Sequence, residues 1–229
     1  MNDTRTHYAG GQEHENEPVP GLPASLPAGE RILWQGSPRF AAMATQAFHV
    51  RKVAVYFALL IGVRGALALA DGMSPVAALG HALWLLPLAA GGIGLLMLLA
   101  WLVGRSTLYT ITTKRVVLRY GVALPMSINV PFAIIESAGL RVRDDGTGEL
   151  TLALGGADRI AYLHLWPHAR PWALKQPQPM LRGIEQPQAV AALLAAALAG
   201  EPLPQWAEAN PAARPGSAGG TGTLVPAGF

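Results

Sequence analysis

His164 and His168 stand four residues apart, the spacing that puts two imidazoles on one helix face for a metal. Pro167 between them disfavours that helix, so a metal site is not expected. Asp144 and Asp145 sit side by side in Asp-Asp-Gly-Thr-Gly, which reads as a solvated turn rather than a paired-carboxylate site. His49 and His81 lie only at the edges of apolar runs, so no histidine sits where it would ligate a pigment magnesium inside a membrane. Arg64 is a charge inside an apolar run, either snorkelling and paired with Asp71 or offered to a partner's polar group. Trp166, His168, Arg170 and Trp172 crowd into Leu165-Trp-Pro-His-Ala-Arg-Pro-Trp172, residue types that anchor protein interfaces. The same Trp rings could instead be lids on a strap over a sheet edge. There is no Walker loop, no GxGxxG, no HExxH and no nucleophile elbow. Catalytic residues and metal ligands are therefore expected to be absent, and the residues argue for a protein that binds something.

Composition narrows the setting. Hydrophobic residues make up 51% of the 229 and charged ones only 14%, against about 25% in soluble proteins. The absence of cysteine excludes disulfides, thiolate metal sites and cysteine nucleophiles. A net charge of +3 without a dense Lys/Arg run gives no nucleic-acid surface. The acidic start (Asp3, Glu13, Glu15, Glu17) is not a signal peptide, so membrane segments are expected to act as their own insertion signals.

Two such segments must position everything else. Ala82 to Val103 is 22 residues without a charge, and as a helix it covers roughly 30 Å. Trp84 and Trp101 lie near its ends, where rings settle at the lipid boundary. Val53 to Ala70 is a shorter span of 18. Gly62, Ala66 and Ala70 on the first and Ala90 and Gly94 on the second are small-residue faces, expected to pack the two as a hairpin, or else to serve a second copy or a client helix. The loop between them has no Lys or Arg, whereas Arg39, Arg51, Lys52, Arg105, Lys114 and Arg115 flank the outer ends. The positive-inside rule then predicts both termini in the cytoplasm.

The flanking regions follow. Residues 1–27 read as a disordered acidic, Pro-rich tail. Residues 28–52 are expected to hold a short strand at Ile32–Trp34, then an interfacial helix carrying Phe40, Met43, Ala44, Ala47 and Phe48 in the head groups, or else an ordinary amphipathic core helix with the same stripe. The hairpin occupies 53–103. From 105 to 200 the period changes to that of strands: 107–121, 127–135, 137–143, 149–154 and 160–165. They predict a cytoplasmic antiparallel sheet or barrel, closed by a helix over 186–199. Residues 201–229 read as a second disordered tail.

Two resemblances add to this. Leu108-Tyr-Thr-Ile-Thr-Thr-Lys-Arg-Val-Val-Leu-Arg-Tyr-Gly121, Ile128-Asn-Val-Pro-Phe-Ala-Ile-Ile135 and the Gly146-Thr-Gly148 turn resemble the bacterial pleckstrin-homology-like family, as do Glu30, Trp34, Gly36 and Pro38 upstream. That implies a curled seven-stranded sheet with a C-terminal helix. Pro18-Val-Pro-Gly-Leu-Pro23, Phe48-His-Val-Arg-Lys-Val-Ala54, the Trp166–Trp172 segment and Pro177-Gln-Pro-Met-Leu-Arg182 are similar to the PuhB family of photosynthetic-complex assembly proteins, across roughly 18–200. This implies a non-catalytic assembly chaperone of the inner (intracytoplasmic) membrane, self-associating, with reaction-centre and core-antenna subunits and membrane lipid as partners. Bacteriochlorophyll or lipid delivery is the alternative, and a generic membrane-anchored member of the broader family the fallback.

Overall fold

The computed structural model describes Leu22 and residues 26–155 and 161–209 of the chain. Most of the expected N-terminal tail, the segment 156–160 and the stretch from 210 onward lie outside the described residues. Leu22, inside that expected tail, is fully buried.

The chain begins with strand β1 (Ile32–Gly36). Pro38 then turns it into α1 (Phe40–Ala42), which widens into a π-helix at Met43–Ala47. His49, in the left-handed region at φ 53°, separates this from α2 (Val50–Ala70). Two further helices, α3 (Pro75–Leu83) and α4 (Leu86–Ser106), run nearly end to end. Strands β2 (Leu108–Thr112), β3 (Arg115–Tyr120), β4 (Met126–Pro131), β5 (Ile135–Val142) and β6 (Thr147–Leu154) follow. A short α5 (Tyr162–Leu165) precedes β7 (Met180–Glu185). The described chain closes with α6 (Pro187–Ala199) and α7 (Gln205–Ala209).

The strands form two antiparallel sheets, β1-β2-β3-β4 and β5-β6-β7. Thr, Tyr, Ile and Val supply the β-branched and aromatic side chains that suit a pleated, half-buried surface. Trp34, Tyr109, Ile111 and Leu118 of the first sheet meet Leu150, Leu152, Leu181 and Ile184 of the second. Val190, Leu193 and Leu194 of α6 cap the same core. The expected strand at 160–165 is instead helix α5, because Tyr162–Leu165 leaves the sheet. The expected disordered tail contains α7, held by the buried Ala207. β7 had no strand expectation: Pro179 and Gly183 interrupt its pattern.

Val50–Ala70 and the 32-residue stretch Pro75–Ser106, made of α3 and α4, are long and apolar enough to cross a membrane. Only 6% and 11% of their most apolar windows are buried, which is not how the core helix of a soluble domain sits. The loop between them is shorter than the expected 71–81. Ser74 caps α3 by accepting from the Ala77 amide at 3.4 Å, and Pro75 fits the first helical position.

The hairpin is not packed through the small residues chosen from spacing. Gly62, Ala66, Ala70, Ala90 and Gly94 are all exposed, and a Cβ on Gly62 or Gly94 would meet nothing within 4 Å. The helices approach instead where Gly65 faces Ala82, whose Cβ would be 3.4 Å from one added at Gly65. Ala68, Ala78, Ala82 and Ala89 are buried. The early start of α3 sets this rotation, since it brings a second helical segment against α2. Of the two readings of 40–48, the head-group face gives way to the core helix. Met43, Ala44 and Phe48 are buried against Ala100, Leu96 and Val103 of α4, so a protein surface rather than lipid covers them.

Gly183 joins the two halves of the molecule. Its φ of +62° and its position 2.7 Å (as an added Cβ) from the Ala42 Cβ leave no room for a side chain. Its carbonyl accepts from the Arg39 amide at 2.9 Å, tying β7 to α1.

Candidate functional site

The segment between β6 and β7 folds back on itself. Arg170 donates from its backbone amide to Gln178 O at 2.9 Å, and Ala169 pairs with Pro179. Arg170 also reaches Gln178 Oε1 at 2.9 Å. Trp172 lies on this excursion with φ 64° and its side chain 92% exposed. Leu163 and Leu174 are exposed with it, while half-exposed Trp166 sets its ring edge against Phe48 at 5.6 Å. The excursion therefore leans on the residues that lead into α2. Trp166 and Trp172 are not core lids, because neither ring is enclosed.

His168, expected at a partner surface, is fully buried. Its imidazole joins β7 to the end of α4. The Arg182 amide donates to Tyr109 Oη at 3.2 Å, and Tyr109 donates to His168 Nδ1 at 2.8 Å. Thr107 Oγ1 donates to Val103 O at 2.7 Å in the last turn of α4, so it accepts from His168 Nε2–H at 3.2 Å. One proton thus serves each link, which fixes a neutral tautomer. Burial, then the nearby Arg182 charge, depresses the His168 pKa to about 3. Burial pushes the Tyr109 hydroxyl well above its ordinary value. This imidazole is structural: it is uncharged at neutral pH, shielded from solvent, and both nitrogens are engaged. His164, four residues before it, is exposed, and its carbonyl accepts from the Tyr120 hydroxyl.

Arg182 is the buried cation behind the excursion. It is only 4% exposed and donates to Gln46 O and Ala169 O, both at 3.2 Å. Among the described residues its Nε has no hydrogen-bond partner. Burial lowers its pKa, with the Glu149 carboxylate opposing. That carboxylate is engaged by Arg143 at 3.1 Å and, with the Gln46 amide correctly oriented, by Gln46 at 3.1 Å. A cavity of about 250 Å³ lies between the excursion and the 46–49 turn. Arg182, Gln46, His49, Trp166, Trp172 and Leu174 are among its lining residues. Asp145 is the turn residue the sequence suggests: it accepts from the Thr147 amide at 3.0 Å and hydroxyl at 2.6 Å, and these bonds lower its pKa.

At the opposite end of the helices, Arg64 bonds to α3 rather than to Asp71. Its Nε donates to His81 O and its Nη2 to His81 Nε2, both at 2.9 Å. Arg64, Asp71 and His81 line an apolar notch of about 460 Å³.

Of the residues chosen from sequence, Trp166 and Trp172 line one cavity and Arg170 lies between them on the same excursion. His168 belongs to the core behind it, and Arg64 sits at the far end of the helices. Sequence reasoning missed Arg182, Tyr109 and Gln46. The signal for Arg182 was a lone charge among Met180, Leu181 and Ile184, which flags a buried cation when the run is a strand.

A family model described as a bacterial PH domain matches residues 53–198. A protein from Rhodobacter capsulatus, described as an uncharacterized 23.7 kDa protein in the puhA 5′ region, is 40% identical over 182 residues, covering 79% of this chain and 85% of that protein. No solved structure matches.

Proposed function

Because this chain belongs to the bacterial PH domain family, we propose that it is a non-catalytic membrane assembly factor for the photosynthetic reaction centre and its core antenna. In this reading α2 and the α3–α4 pair cross the inner membrane, and both termini and the two sheets are cytoplasmic. The membrane reading draws on the two long apolar helices and on the charge asymmetry of their flanks. Arg105 lies 5.6 Å over the Trp101 ring, an amphipathic pair suited to the head-group level.

The observation that carries the client reading is the exposed apolar pair Trp172 and Leu174, which line a cavity with His49 at the start of α2. Large apolar groups left in water beside a membrane helix suit a partner that comes and goes, here a reaction-centre subunit before its complex closes. The relative's description in the puhA 5′ region agrees with the PuhB-like segments. The non-catalytic reading draws on the neutral, enclosed state of His168. Among the described residues, no three His, Asp or Glu side chains gather as a metal site.

A mild-detergent pull-down of the tagged protein from phototrophically induced membranes tests this. Mass spectrometry and a near-infrared spectrum are taken on one eluate. The expected result is enriched reaction-centre subunits without stoichiometric pigment, lost with Trp166→Ala plus Trp172→Ala. Unchanged recovery by that variant removes the role of the excursion. Pigment retained without subunits favours cofactor delivery.

A further inference from the structure

Arg64 is a charge that the client reading leaves unused. It belongs to one stripe of α2, made of Leu60, Val63, Arg64, Leu67 and Asp71, whose spacing puts them on a single helical face. Together with His81 of α3 they line the notch of about 460 Å³. Val63 is 55% and Leu67 60% exposed, so the stripe is left uncovered.

The Arg64 guanidinium is held in place by α3. Its Nε donates to His81 O and its Nη2 to His81 Nε2. Arg64 lies six residues before Ala70 at the end of α2, and His81 six residues after Pro75 at the start of α3. At the helical rise both sit about 9 Å inside the turn that joins the two helices. Arg51 and Lys52 mark the head-group level at the other end of α2, so this turn lies at the opposite boundary and the guanidinium lies within the hydrocarbon. The bonds to His81 keep it from extending to the head groups as a free side chain would. Arginine only donates, so His81 Nε2 accepts and the ring brings no negative charge. Among the described residues no carboxylate is in ion-pair contact with Arg64, and its Nη1 carries no bond. Asp71, two turns along the stripe, lines the notch without pairing with it. A cation in hydrocarbon costs several kcal/mol unless a counter-charge meets it.

A second copy does not supply that counter-charge. Copies in one membrane share topology and depth, so a closed pair through this face sets Arg64 against its own counterpart, with each Asp71 about 10 Å away along the axis.

We propose that this face docks a transmembrane helix of another chain whose Asp or Glu side chain lies at the depth of Arg64, with Val63 and Leu67 against its apolar surface. The site rests on the membrane reading of α2 given above and adds the kind of helix held there. The uncompensated charge selects carboxyl-bearing helices from the wholly apolar ones that share the membrane.

The test uses the full chain in phosphatidylcholine vesicles, with thermal unfolding recorded for each variant in detergent. The sequence has no cysteine, so Val76→Cys, at an 82% exposed position outside the notch, carries a single donor dye. Energy transfer is measured to a dye-labelled poly-leucine helix with lysines at both ends and one Glu about 9 Å from one end. The Glu helix is expected to associate at least fivefold more tightly than the same helix with Gln. Arg64→Gln should weaken the Glu helix at least fivefold and leave the Gln helix unchanged. Leu67→Trp, at an exposed position, should weaken the Glu helix at least threefold by filling the notch, and it decides if Arg64→Gln does not fold. Equal association of the two helices with the parent, or Glu-helix affinity within twofold of the parent in the folded variants, overturns the site. Loss of the Glu preference when phosphatidylglycerol replaces phosphatidylcholine assigns Arg64 to a lipid head group and overturns the helix partner. Flotation of alkali-washed vesicles reads the membrane placement separately. A chain that does not float overturns both readings, and one that floats without the Glu preference overturns only the site.

Discussion

Tyr109 Oη lies 2.8 Å from Nδ1 of His168, and both side chains are fully enclosed. Through Thr107 the same imidazole reaches the last turn of α4, so a hydrogen-bonded path runs from β7 to the end of a membrane-length helix. The rigidity of the joint between sheets and helices depends on a histidine that stays neutral.

That neutrality makes stability pH-dependent. The folded chain refuses the His168 proton down to about pH 3, whereas the unfolded chain takes it near the ordinary value of 6.5. The contribution is complete above pH 6.5 and is lost as pH falls towards 3. At pH 5 the loss is about 2 kcal/mol. Glu30 adds its own loss only below about pH 4.5, outside the comparison of pH 7 with pH 5. Burial pushes its carboxyl up, but hydrogen bonds from Thr112 and Arg115 outweigh this and hold it below 4.5. Thermal unfolding of the parent and of His168→Gln at pH 7 and pH 5 checks it. The variant is expected to be less stable at pH 7 by about 1–3 kcal/mol and to lose less on acidification.

Arg64 and His81 should be coupled. A double-mutant cycle with Arg64→Ala and His81→Ala, read by unfolding in detergent, is expected to give about 0.6–2 kcal/mol, in the range of polar contacts between membrane helices. Additive single changes would show that the two bonds at 2.9 Å carry no net stability.

Gly183→Ala combines an unfavourable φ of +62° with contact against Ala42. A destabilisation of about 1–3 kcal/mol is expected. Adding Ala42→Gly should recover only part of it, because it relieves the contact and leaves the backbone angle. Full recovery would assign the whole cost to crowding.

The two sets of small residues should respond differently. Gly62→Leu and Gly94→Leu, on exposed faces, should leave hairpin stability within about 0.5 kcal/mol. Gly65→Leu, facing Ala82, should cost about 1–3 kcal/mol through overpacking. If Gly62→Leu instead abolishes self-association with monomer stability unchanged, that face belongs to a second copy.

What the sequence determined by itself is what local pattern can encode. Uncharged runs with terminal tryptophans mark the long helices. Runs of Thr, Val, Ile and Tyr punctuated by Gly121 and by Asp144-Asp-Gly mark β2 to β6, and the Ala/Leu run after Gln186 marks α6. These signals depend on a residue's own period and need no distant partner. The tertiary structure decided everything that depends on which distant residues meet. It turned Met43, Ala44 and Phe48 from lipid towards α4, and gave Arg64 to His81 instead of Asp71. It moved the hairpin contact from Gly62 to Gly65 and withdrew His168 into the core. It also brought Gln46 and Arg182, 136 positions apart, to the two sides of one cavity. Packing against a particular neighbour fixes helix rotation and polar pairing, and α3 begins at Pro75 rather than Ala82. No window along the chain contains that information.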